Sequence, residues 1–72
     1  MMHDFDVLHT FEARNVLSGR EREFKPGEIV GSESGQTGET VTIKIGNSFF
    51  SVERSIFEAC CKRRVERAAP FF

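Results

Sequence analysis

The chain has no tryptophan and no tyrosine, and its only two cysteines, Cys60 and Cys61, are adjacent. Adjacent cysteines do not make a disulfide framework, so they read as reduced thiols. No apolar run approaches the ~20 residues a membrane span needs. The amino-terminal segment MMHDFDV is acidic and lacks the basic and apolar regions of a signal peptide, which places the chain in the cytosol. The formal net charge of −1 gives no compositional reason to expect nucleic acid or an anionic membrane. With 72 residues there is one domain, 1–72, burying about 60–65% of its unfolded surface, and no room for a substrate pocket enclosed by two layers.

Catalytic signatures are missing too. There is no Cys-x-x-Cys, and Ser48, Ser51 and Ser55 lie in no nucleophile motif. The loop GSESGQTGE lacks the Gly-Lys-Ser/Thr ending of a phosphate-binding loop and does not lead into a helix. These readings point away from an enzyme and require no cofactor.

Alternation is what the chain does have. From Phe24 to Val52 two apolar runs flank a Gly-rich polar loop, and a tight turn follows. Thr40–Ile45 sets Val41, Ile43 and Ile45 on one face, and its β-branched content supports a strand. Gly46-Asn47 is a hairpin signal, after which Ser48–Glu53 returns with Phe50 and Val52 inward. Upstream, Pro26-Gly27 makes a turn before a short strand at 28–30, and 31–40 reads as a mobile surface loop. Phe5, Val7, His9, Phe11 and Ala13 share one parity, which predicts a half-buried strand over 5–13 with His9 at the core or its rim. Arg20–Glu23 alternates charge sign and reads as a solvated loop or edge strand. Eight phenylalanines supply much of the apolar bulk.

Ser55 followed by Glu58 has capping-box spacing, which predicts a C-terminal helix over about 55–68, stopped by Pro70. Phe57, Cys60, Cys61, Val65 and Ala68 would face the sheet, and Glu58 and Lys62 would pair on the outer face. The expected fold is a small β-rich α+β domain, a bent antiparallel sheet or open barrel of four to five strands with that one helix.

Gly27-Glu28-Ile29-Val30, then Gly35 and Gly38, then Val41 and Ile43 resemble the pattern of KOW-type and Src-homology-type small barrels. An acid follows a glycine at a strand opening, glycines space the loop, and β-branched residues alternate after it. KOW-like modules in ribosomal and transcription-associated proteins contact RNA or proteins through their loops, which the resemblance implies for 31–40. Here that loop carries Glu33 and Glu39 and no Lys or Arg. An acidic loop repels phosphate, so the resemblance implies the fold more than RNA binding.

Three groups of residues are candidates for function. Lys62, Arg63, Arg64 and Arg67 would form a positive helix face for an acidic protein partner or for phosphates; cations in the last turns also suit the helix dipole. Phe71-Phe72 after Pro70 either complete the core or dock on a partner. His3, Asp4, Asp6 and His9 have metal-ligand types, but on a strand the two histidines lie roughly 20 Å apart and the aspartates point to the other face, so no ion gathers them. The function expected is a non-catalytic interaction module, a small regulator or inhibitor of the phage-encoded type acting on a larger protein, as a monomer or weak homodimer. The alternative is nucleic-acid binding through the basic helix, and a third reading is thiol chemistry at Cys60 or Cys61.

Overall fold

The computed structural model describes residues 2–33 and 36–64. Seven strands and one helix follow in the order β1 (Met2–Val7), β2 (Phe11–Asn15), β3 (Glu21–Phe24), β4 (Ile29–Glu33), β5 (Thr40–Ile45), β6 (Ser48–Glu53), α1 (Arg54–Cys60) and β7 (Cys61–Arg63). The strands form one sheet in the order β3-β2-β6-β5-β4-β1-β7, with every neighbouring pair antiparallel.

The sheet has to curl. β1 and β2 are joined by residues 8–10, yet three strands stand between them in the sheet. Four inter-strand steps would hold them roughly 19 Å apart in a flat sheet. The link from Val7 to Phe11 reaches at most about 14 Å. Curling satisfies both, and the concave face encloses the core.

That core is Val7, Phe11, Ala13, Phe24, Val30, Val41, Ile43, Phe50, Val52, Phe57 and Cys61. Phe24 stands at its centre, fully buried, stacked on Phe11 at 5.1 Å and edge-on to Phe50 at 5.2 Å. Phe57 brings α1 against the sheet through an edge contact with Phe5 at 4.8 Å. The β5–β6 hairpin has the expected register, Ile45 opposite Ser48, with Gly46 at φ 59, where a side chain would be strained.

Several expectations need correction. Among the described residues there are seven strands, not four to five, partly because the predicted strand over 5–13 breaks at 8–10. There Leu8 N–H and His9 N–H both donate to the Cys60 carbonyl, at 2.7 and 3.2 Å, and His9 is exposed instead of facing the core.

The helix is shorter than 55–68 and is not C-terminal in the way expected: it ends at Cys60, where Cys61 turns extended (φ −127, ψ 149). Its N-cap is Glu53, with no side-chain capping bond, so the Ser55–Glu58 box is not used. Glu58 has Arg54 at 3.9 Å within the helix, while Lys62 lies on β7.

Nor is the 31–40 region a free loop. β4 continues to Glu33 with Ser32 buried. Beyond it the Gln36 amide acts like a strand's peptide group. Its Oε1 accepts from Thr42 N–H at 2.9 Å, and its Nε2 donates to the Thr42 carbonyl at 3.1 Å and to Ser32 Oγ at 2.9 Å. Arg54 ties the same segment to the helix start, donating to the Gln36 and Gly38 carbonyls at 2.8 and 2.7 Å.

Candidate functional site

The basic tract is a strand, not a helix face. β7 lies against β1 with Lys62 opposite Asp6 and Arg63 opposite Phe5, and Arg64 N–H donates to the Asp4 carbonyl at 2.8 Å. Residues directly opposite share a face of the sheet. Asp6 therefore stands beside Lys62, and Asp4 beside Arg64. All three cations are exposed, but two of them have a carboxylate as cross-strand neighbour. Arg67, Phe71 and Phe72 lie outside the described residues.

The candidate chemistry is dispersed. His3 is on β1 opposite Ser32, and His9 is in the link after it. Among the described residues no group of three or more His, Cys, Asp or Glu is placed to hold a metal ion. Cys61 faces Val7 in the core, and burial, with the neighbouring Cys60 adding to it, pushes its thiol up to about 11. A thiol that stays protonated at neutral pH is a poor nucleophile.

A different surface stands out. Val16 N–H donates to the Phe49 carbonyl at 3.0 Å, just past the β2–β6 pairing of Asn15 with Phe50. Phe49 is in turn opposite Lys44, whose Nζ lies 5.7 Å from the ring centre. Val16, Phe49 and Lys44 thus form one cross-strand row on the convex face. Leu17 projects from the turn beside it and is 92% exposed, with Val16 at 51% and Phe49 at 41%.

The turn that carries Leu17 is held internally. Asn15 Oδ1 accepts from Leu17 N–H and Ser18 N–H at 2.9 and 3.0 Å, and Gly19, at φ 76, donates its N–H to the Asn15 carbonyl at 2.9 Å. Asparagine at the start of a turn does this routinely. The result is an apolar tip on a backbone whose polar groups are already satisfied. The signals were in the sequence: the alternation that buries Phe50 turns Phe49 outward, and Leu17 sits between Asn15 and Gly19.

Farther along the convex face β2 and β6 part beyond the Arg14–Ser51 pair, toward Ala13 and Val52, leaving an open groove of about 480 Å³. Glu12, Glu21 and Glu53 line it with Arg14 and Ile56, and Arg14 is 3.8 Å from Glu21.

No helix among the described residues is long and apolar enough to cross a membrane. Comparison with protein-family models, with curated proteins and with solved structures found no match to the chain.

Proposed function

We propose that the chain is a non-catalytic protein-binding module, a small regulator or inhibitor that works in the cytosol by covering part of a larger protein's surface. One observation supports this reading above others: the exposed tip formed by Val16, Leu17 and Phe49 on an internally braced turn. Apolar anchors on a rigid backbone lose little entropy on binding, and contiguous exposed apolar groups mark interaction sites. Lys44 beside Phe49 supplies a cationic rim that favours an apolar pocket edged by carboxylates. Lys62, Arg63 and Arg64 form a second partner-binding surface on β7.

Nucleic-acid binding is the weaker reading. Phosphate binding would rest on these cations alone, with no backbone bonds to add to it, and Asp4 and Asp6 beside Arg64 and Lys62 offset part of their charge.

The test is capture of partners from a lysate of the source cells, with and without nuclease, using wild type, Leu17→Ser and a Lys62/Arg63/Arg64→Ala triple variant. The expected result is one protein partner that survives nuclease and is lost with Leu17→Ser. Loss of all capture on nuclease treatment, with Leu17→Ser unaffected, would overturn the reading.

A further inference from the structure

We infer that the outer edge of β7 is a docking strand for an extended acidic segment of a partner protein, which adds to the sheet antiparallel with acids at alternate positions opposite Lys62 and Arg64. This goes beyond the apolar tip, involves none of its residues, and stands or falls separately from it.

Along any strand, backbone groups point alternately to its two neighbours. Leu8 N–H donates to the Cys60 carbonyl and Arg64 N–H to the Asp4 carbonyl, so the even-numbered residues of β7 bond to β1. The odd-numbered ones face away from it. Cys61 N–H is used in closing α1 on the Phe57 carbonyl. What remains on the outer edge is the Cys61 carbonyl and both backbone groups of Arg63. Among the described residues no strand pairs with that edge, because β7 ends the sheet. An incoming strand can accept from Arg63 N–H and donate to both carbonyls.

Charge selects the occupant. The residues flanking the open groups are Lys62, Arg63 and Arg64, all exposed. A second copy's β7 does not suit: pairing centred on Lys62 or Arg63 sets lysine against lysine or arginine against arginine, and pairing centred on Cys61 runs into α1. An acidic strand does suit, and the fold contains an example. On its inner side β7 pairs with β1, whose Asp4-Phe5-Asp6 lies opposite Arg64-Arg63-Lys62. The same acid-x-acid spacing on the open side would place each of those two cations between two carboxylates.

The test uses the ¹⁵N-labelled full chain titrated to millimolar with a hexapeptide of β1's own sequence, MHDFDV, and with a copy carrying Asn in place of both Asp. The expected result is slowed solvent exchange and a shifted amide signal at Arg63, with the Lys62 and Arg64 amides still protected by β1. The Asn peptide should bind roughly two- to thirty-fold more weakly, the range for losing two exposed cross-strand charge pairs. Arg63→Pro removes the outward N–H and the guanidinium but no bond to β1, so the fold should persist while peptide binding is lost; Arg63→Ala, which removes the guanidinium and keeps the N–H, should still bind. No effect at Arg63, equal binding of both peptides, or full binding by Arg63→Pro in a folded chain would each overturn the proposal. Shifts confined to Val16, Leu17 and Phe49 would overturn it too, while leaving the apolar tip as the binding surface.

Discussion

Phe24 shows how much of this fold depends on single side chains. It is fully buried and touches rings from two other strands. Phe24→Ala should cost about 3–5 kcal/mol through lost transfer energy and the cavity left behind. Total stability for a domain is about 5–15 kcal/mol, so this variant should lose a large share of it and show a much lower urea midpoint than wild type.

Glu28 is a second such residue. Its Oε2 accepts from Lys25 N–H at 2.8 Å and its Oε1 from Arg22 at 2.9 Å. Arg22 itself lies over the Phe24 ring at 4.4 Å. The Lys25 backbone bond, the largest influence, holds the Glu28 carboxyl below its ordinary value of 4.5; burial opposes it, and the Arg22 bond and charge add to the lowering. A carboxyl lowered in the folded state adds stability above its unfolded value, and that stability is lost as pH falls through the folded one. Wild type should therefore lose stability more steeply than Glu28→Gln as pH drops below 4.5 in a series of denaturant titrations. A parallel loss in both proteins would contradict this. At Cys61 the raised thiol predicts alkylation near pH 7 much slower in the folded chain than in denaturant, read by mass spectrometry.

At the scale of elements, local pattern predicted some segments well and others not. The β5–β6 hairpin was legible because turn chemistry and alternation agree over the whole of 40–53. The helix was only half legible. After Cys60 the chain is drawn into β7 because β1 would otherwise expose the outer backbone groups of Asp4, Asp6 and Leu8, and no local signal shows that need; the part of the expected helix from 65 on lies outside the described residues. The break at 8–10 was hidden for the same reason: one continuous alternation from Phe5 to Ala13 fits a single strand as well as two strands at opposite ends of a curled sheet. Arg20–Glu23 read as a solvated loop or an edge strand; Glu21–Phe24 is an edge strand, and nothing local showed that Arg22 turns to Glu28.

The segment after β4 looked like a free loop because an amide side chain standing in for a strand leaves no periodic signature. Gln36→Ala should expose the Thr42 amide and speed its hydrogen exchange, at a cost of about 1 kcal/mol. Unchanged exchange at Thr42 would show that the Gln36 bonds carry no weight.

For the whole molecule, the two ends of the sheet differ in what they present to another strand. β3 has the sequence Glu-Arg-Glu-Phe after Arg20, which looks self-complementary. It is not. Asn15 N–H donates to the Arg20 carbonyl at 2.7 Å, so even residues of β3 face β2 and the outward positions are Glu21 and Glu23. Any antiparallel pairing of two β3 edges must then set glutamate opposite glutamate, an arrangement that protects an edge from its own copies. The account predicts a monomer by sedimentation up to millimolar concentration, and a concentration-dependent dimer would contradict it.

The candidate site was legible in part. The cations were visible at once, but their cross-strand aspartates were not, because Asp4 and Arg64 are sixty positions apart. With part of their charge offset, the proposed reading keeps protein ahead of phosphate, as the sequence reading did. The most direct test is the affinity for the captured partner, measured for wild type and Leu17→Ser from low to high salt. An interface anchored on the apolar tip predicts roughly tenfold weaker binding for Leu17→Ser, the order expected for a central anchor, and only a shallow fall with salt from the Lys44 rim and the β7 cations. A steep fall with salt and no effect of Leu17→Ser would contradict it and return the cations to the centre of the interface.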